Sequence, residues 1–270
     1  MSALLQAGYD AFKALPGASS SLFPSLVALG SFHLFCALHT VDDLWRLQRA
    51  GVWDTLVHCA VPQFAAHMVV NTAAWLVLAN VLEPNVLPIL APSPAEFAGG
   101  LLGCYIVGDF LIYWEHVFMH RIQWLRQNIH STHHFFTSPL FSWHAGWVHP
   151  FEIAVAIVCE LAYPYSMGLH PFTLWVFIAT WVFWLVEEHS GKEVWWSLSK
   201  ILPWGIGGGS EPHGLHHEPL LTRNFAFVFS VWDHIFGTYA APSKSKKSID
   251  IVRKDCAIYM KSAHTPHSIL

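Results

Sequence analysis

The sequence predicts an all-α, polytopic membrane protein with about four or five membrane segments and a cytosolic helical cap holding a histidine-rich two-metal site. Three observations carry that expectation. Of 270 residues, 54% are hydrophobic and only 12% charged, against roughly 25% charged in an ordinary soluble domain. A chain of this length has ample surface, so a solvent other than water must cover part of it. Several apolar stretches approach the ~20 residues that a membrane helix needs. Histidine, with 19 copies, outnumbers the 14 Lys+Arg and the 18 Asp+Glu.

The spans follow in order. Residues 22–41 form the first, and residues 55–82 the second, long enough to tilt. A loop punctuated by Pro84, Pro88, Pro92 and Pro94 follows and contains no Lys or Arg. Residues 97–114 form the third span. Residues 151–168 and 171–186 form a hairpin across Gly168-Leu169-His170-Pro171; Glu152, Glu160 and Pro164 weaken its first arm, which either crosses or only dips into the bilayer. Basic residues follow the first span (Arg46, Arg49), the third (Arg121, Arg126) and the hairpin (Lys192, Lys200, Arg223, then Lys244, Lys246 and Lys247). By the positive-inside rule those segments face the cytosol and the proline loop faces away, which puts the N-terminus on the non-cytosolic side. The chain divides into residues 1–96 of N-terminal spans and loops, a catalytic domain over 97–240, and a disordered tail over 241–270.

The net charge of -4 excludes a dedicated nucleic-acid binder. The five cysteines lie far apart, mostly in apolar runs, and read as small buried hydrophobes, not as a disulfide scaffold. Residues 1–20 lack the basic start and short apolar core of a cleaved signal peptide.

Three histidine clusters carry the chemistry: His116 and His120 in an H-x3-H box, then His130-Ser131-Thr132-His133-His134 and His213-Gly214-Leu215-His216-His217, both H-x2-H-H. On a helix, residues three and four apart share a face, so each box is expected to aim its imidazoles at one point, and His189 can join them. All nine fall on the predicted cytosolic side, at or beyond span ends. Neutral imidazole ligates iron, copper, nickel and zinc, and nine exceed what one ion can use, so two metals are expected. His144, His149, Glu152, Asn224 and Asp233 stand as possible further ligands or supports. Asp109, Glu115, Glu187 and Glu188 are other carboxylates placed to orient ligand rings. His33, His39, His58 and His67 read as packing or hydrogen-bonding groups; His170, His234, His264 and His267 read as structural or solvated.

A redox metal at a membrane face suits attack on an unactivated C–H bond, which needs dioxygen activated beyond the reach of any side chain. An apolar substrate would enter from the bilayer, with Trp181, Phe183 and Trp184 lining a pocket or facing lipid.

The boxes resemble those of the fatty acid hydroxylase/sterol desaturase superfamily of membrane di-iron enzymes. The resemblance covers residues 97–239: the three boxes, His149-Pro150-Phe151-Glu152, His189-Ser190-Gly191, and a closing stretch of Asn224-Phe225-Ala226, Trp232-Asp233 and Phe236-Gly237-Thr238. Glu187-Glu188-His189-Ser190-Gly191, Trp196-Ser197-Leu198 and Leu202-Pro203 are most similar to the sterol oxidases, of 4-methylsterol monooxygenase and cholesterol 25-hydroxylase type. The acyl-hydroxylase branch differs: it carries a further histidine where this chain has Leu185, and a longer first box. What the resemblance implies is an endoplasmic-reticulum monooxygenase with two iron ions, a lipid substrate of sterol type, and NAD(P)H as indirect electron source. Electrons would come through a b-type cytochrome or its reductase. Gly205 and Gly207–Gly209 make no dinucleotide fingerprint. The other readings are a fatty-acyl, sphingolipid or ether-lipid hydroxylase or desaturase, and, from different classes, a metal transporter or a haem electron carrier. Ligands clustered at one membrane face, in H-x2-H-H boxes, fit neither of the last two.

Overall fold

The computed structural model describes residues 1–51, 68–69, 72–73, 87–136, 140–218 and 222–241, and among them every regular element is helical. A helix that the span pattern does not announce comes first. In α1 (Ser2–Lys13) the buried Tyr9 packs against Phe172 and Trp175. Its hydroxyl donates to the Pro88 carbonyl at 2.8 Å, which ties α1 to the proline loop.

The first span, α2 (Phe23–Arg49), runs past residue 41. Its polar last turns stay helical because Arg46 pairs with Asp42 one turn back and with Asp43. The span expected over 55–82 lies outside the described residues, apart from helical residues 68–69 and 72–73. The third, α3 (Pro94–Arg121), starts three residues before 97, on a capping box. Ser93 Oγ accepts the Glu96 N–H and the Glu96 carboxylate accepts the Ser93 N–H. At 28 residues it is about 42 Å long, against ~30 Å of hydrocarbon core. Its C-terminal turns therefore reach the membrane boundary, and they carry His116 and His120.

The hairpin arms, α4 (Pro150–Ser166) and α5 (Pro171–His189), both begin on His-Pro-Phe. Proline presets the first helical φ, and the ring Nδ1 of His149 or His170 accepts the Phe151 or Phe172 N–H, each at 3.1 Å. The two arms do not pack along each other: α4 lies against α3, and α5 lies against α2. Gly103 permits the first contact, since a Cβ there would fall 2.3 Å from the Tyr163 ring. Helices α2, α3 and α5 are long and apolar enough to cross a membrane. With 17 residues, α4 stands at the lower limit for crossing. Outward side chains such as Leu38 (73% exposed) and Val41 (80%) are apolar, as a lipid-facing surface requires. Cys36 and Cys104 are buried and form no disulfide, as expected, whereas Cys159, also free, is only partly buried; Cys59 and Cys256 lie outside the described residues.

Past the spans the chain turns through short helices, including α6 (Ser210–His216) and α7 (Val231–Phe236). Buried carboxylates knit this cap together. Asp109, within α3, accepts the Val228 and Phe229 N–H groups and the Trp232 indole N–H at 2.7–2.9 Å. Asp233 accepts the Phe225 and Ala226 N–H groups. Asp43 accepts the Ser142 N–H.

Candidate metal centre

Nine histidines form two groups, in each of which one ring nitrogen per residue lies within 4.8 Å of all the others. The first contains His116, His120, His130, His134 and His216; the second contains His133, His189, His213 and His217. These are the nine of the sequence reading, but the boxes do not each converge on one point. Both H-x2-H-H boxes are divided between the groups. The last two residues of such a box are adjacent, and adjacent helical residues point about 100° apart, so they cannot share a face. His216 therefore serves the first group while His213 and His217, one turn apart on α6 and its C-cap, serve the second. In the other box a π-helical turn (Arg126–His130) gives way to a 3-10 turn (His133–Phe135). His130 and His134 go one way, and His133 goes the other.

The tautomers follow from what lies behind the rings. Nδ1 of His116 meets the Phe225 carbonyl at 2.9 Å, that of His216 the Arg223 carbonyl at 2.7 Å, and that of His189 the Leu185 carbonyl at 2.8 Å. Nδ1 of His133 faces the Trp147 carbonyl at 3.3 Å. His130 Nδ1 donates to Glu152 at 2.7 Å, and His213 Nδ1 lies 3.3 Å from Glu188. Each acceptor holds the proton on Nδ1 and leaves the Nε2 lone pair directed inward. In the first group Nε2 of His120 lies 2.8 Å from that of His130 and 3.1 Å from those of His134 and His216. In the second, His213 Nε2 lies 2.9 Å from that of His189 and 2.8 Å from that of His217.

Converging lone pairs repel unless a cation lies among them. Adjacent nitrogens bound at about 2.0–2.1 Å to one metal stand roughly 3.0 Å apart at a right angle and 3.4 Å apart in a tetrahedron. The observed spacings fall at or near that range, and His116 Nε2, buried without a partner among the described residues, is a further free lone pair. The donor set thus fits two transition-metal ions. Burial, reinforced by neighbouring imidazoles, holds His133, His134, His213 and His217 well below the ordinary imidazole value, and burial pushes His216 down to about 3. Rings kept neutral in this way are ready to ligate.

The remaining candidates separate cleanly. Glu152 supports a ring of the first group. His144 is fully buried beside the second, with its centroid 4.9 Å from that of His217 and its Nε2 on the His133 carbonyl at 2.7 Å, but it belongs to neither group. His149 caps α4 and belongs to neither group. Asn224, at φ 58, bonds through its side chain to Pro212 and Ala240, and Asp233 ties backbone; both shape the cap. Among the other carboxylates, Glu188 supports a ring, Glu187 accepts the Ser197 hydroxyl and Asp109 anchors backbone. Glu115, contrary to expectation, orients no ring among the described residues but lies on the cavity wall with Oε1 buried and unpartnered. His33 donates to the Leu29 carbonyl, His170 caps α5, and His234 stacks on Tyr239, while His58, His67, His264 and His267 lie outside the described residues. Sequence reasoning passes over the backbone carbonyls behind the rings and Asp43, because neither has a local signature.

A cavity of about 130 Å³ opens onto the centre, walled by His116, His130, His133, His189 and His213 and by Glu115, Glu152, Glu160, Trp181, Leu185 and Phe227, among others. A second, of about 90 Å³, shares Ala145, Ile153, Ala156, Glu160, Trp181 and Leu185 with it and continues to Ala28, Leu29 and Phe32 of α2. Of the three aromatics expected at a pocket, Trp181 lines both cavities, whereas Phe183 packs against Phe35 and Trp184.

Residues 101–238, spanning all nine histidines, match the family described as fatty acid hydroxylase. The chain belongs to the fatty acid hydroxylase family. It is 31% identical over 233 residues to a cholesterol 25-hydroxylase-like protein of Danio rerio, covering 82% of this chain and 84% of that one. It is also 31% identical to a putative methylsterol monooxygenase of Dictyostelium discoideum (77% and 78% covered). A very-long-chain aldehyde decarbonylase of Oryza sativa subsp. japonica is 33% identical (74% of each). No solved structure matches the chain. Within this fatty acid hydroxylase domain, Leu185 is a cavity wall whose carbonyl orients His189.

Proposed function

We propose that this protein is a membrane-bound di-iron monooxygenase that oxidises a C–H bond of a sterol with dioxygen and NAD(P)H-derived electrons. The observation that carries this reading is the shared wall: the two imidazole groups border an apolar cavity that continues between α4 and α5 towards α2. A lipid can reach such a site from the bilayer without crossing water. In this reading His116, His120, His130, His134 and His216 hold one iron, and His133, His189, His213 and His217 hold the other. Bound there, iron supplies the activation of dioxygen that no side chain can.

The chain's own residues do the rest. Glu152, Glu188 and the carbonyls of Phe225, Leu185 and Arg223 orient the ligand rings. Ile153, Ala156, Leu185 and Phe227 exclude water, and Trp181 closes the wall opposite α4. In this reading the centre faces the cytosol at the endoplasmic reticulum membrane, which the basic ends of α2 and α3 support. There a b-type cytochrome or its reductase would deliver electrons. The sterol preference draws on Leu185, which removes an imidazole from the cavity wall, and on the relatives named for sterol oxidation.

The test is reconstitution with NAD(P)H, the electron-transfer partners and dioxygen, with 4-methylsterols, cholesterol and long-chain acyl lipids offered side by side. An oxidised sterol is expected. Oxidation of an acyl lipid alone would overturn the sterol assignment, and no dioxygen uptake with any lipid at full iron loading would overturn the enzyme reading.

A further inference from the structure

Glu160 has no part in the centre described above, yet it lines both cavities. It sits within α4 among Ile153, Ala156 and Ile157, and an ionisable group placed in a membrane segment marks a functional site by default. Trp181, from α5, donates its indole N–H to Glu160 Oε1 at 2.8 Å. No other hydrogen bond to this carboxyl occurs among the described residues. The indole fixes one oxygen and leaves the other available where the two cavities meet. Glu115, Glu152 and Glu188 line only the cavity on the histidine side, and Glu160 is the one carboxylate among the described residues lining the cavity that leads to α2.

We propose that Glu160, positioned by Trp181, is a specificity-determining anchor for the single hydroxyl of an otherwise apolar lipid, which lies end-on with its far end at the histidines. A hydroxyl both donates and accepts, so it complements the free oxygen whether the carboxyl is ionised or protonated. Glu152, which supports His130, stands eight residues earlier on the same helix, roughly 12 Å at 1.5 Å per residue. The carbon attacked is therefore many bonds from the hydroxyl. In a sterol that selects the side chain and excludes a methyl group beside the hydroxyl. This product assignment rests on the lipid-oxidising reading; the binding preference does not.

Binding is measured without turnover, on the iron-loaded protein in nanodiscs, by competition between paired lipids that differ only in the hydroxyl: cholestanol with cholestane, and hexadecanol with hexadecane. The wild-type protein is expected to favour the alcohol by about tenfold to a hundredfold, in the sterol pair if the passage takes rings and in the linear pair if it takes chains. Glu160→Leu should abolish the preference, and Trp181→Phe, which frees the carboxyl to swing, should weaken it while leaving the protein folded. Equal binding within both pairs by the wild-type protein would overturn the anchor, as would a preference undiminished in Glu160→Leu. Under turnover, oxidation of a methyl group next to the hydroxyl would overturn the end-on orientation. Absence of any turnover, with the alcohol preference intact, would sink the monooxygenase reading and leave the anchor standing.

Discussion

Adjacent residues His133 and His134 should control different metal ions. His133 belongs to the group of four and His134 to the group of five, although one peptide bond separates them. The binding free energy of a four-ligand zinc site, about 10–16 kcal/mol, spread evenly over its ligands gives roughly 2.5–4 kcal/mol per imidazole. At 1.4 kcal/mol per decade, loss of one ring weakens its ion by about two to three decades. His133→Ala and His134→Ala should each lose about half of the bound iron under a chelator that leaves the wild-type protein loaded. Double variants then separate the groups. His133→Ala with His217→Ala removes two ligands from one group and should still retain about half the iron. His133→Ala with His134→Ala removes one ligand from each group and should retain almost none. Iron per chain, measured by plasma emission on protein purified in detergent, decides the matter. If the adjacent double variant kept half its iron, or the same-group double variant lost all of it, the division of the boxes would be wrong. Turnover should vanish in all four variants, so metal content is the informative reading.

Glu152→Gln keeps the shape beside His130 but loses the charge on the acceptor, and should cost 10–100-fold in iron affinity of the five-histidine group, read by the same chelator titration; unchanged affinity would mean that the carboxylate does not orient the ring. The iron-free protein should be acid-labile. His133, His134, His213, His216 and His217 have folded pKa values below the ordinary 6.5, His216 at about 3, so below about pH 6.5 the unfolded chain takes up protons that the folded chain refuses. Their contribution is complete above that pH and declines as pH falls towards the folded values; thermal unfolding followed from about pH 7.5 to pH 4.5 should show a falling Tm, and a flat profile would contradict the buried neutral rings. Cysteine probes at positions 93 and 243 should be labelled from opposite membrane faces, the first only from the lumen, and labelling of both from one face would refute the topology.

How far the sequence discloses this molecule depends on how local each signal is. Apolar length reveals α2, α3 and α5, because a span needs only composition to be recognised, and the turn before Pro171 shows because proline and glycine punctuate it. The starts and ends shift for local reasons that composition does not weigh: the Ser93–Glu96 capping box begins α3 early, and the Arg46 pairs carry α2 beyond its apolar part. The amphipathic α1 is shorter than any span and hides among ordinary residues. The nine ring positions are legible because their spacing is itself the signature. Their partition is not, since a π-helical turn followed by a 3-10 turn has no counterpart in residue spacing. The carbonyls behind His116, His189 and His216 belong to Phe225, Leu185 and Arg223, residues that no side-chain motif would select.

Leu185 shows where such a reading gains from being spatial. As a letter it marks only a missing imidazole. In the structure its carbonyl holds the proton of His189 on Nδ1 while its side chain walls both cavities, so one residue sets the tautomer of a ring in the four-histidine group and the width of the cavity beside it. A histidine at this position could leave the first effect intact, because it acts through backbone. It would change the second, placing a polar ring opposite Ala156 and next to Trp181, whose indole already commits its N–H to Glu160. Leu185→His is therefore expected to preserve the iron content of the four-histidine group and to weaken sterol binding. If it instead left sterol affinity unchanged, the passage between α4 and α5 would not be the route by which lipid reaches the centre.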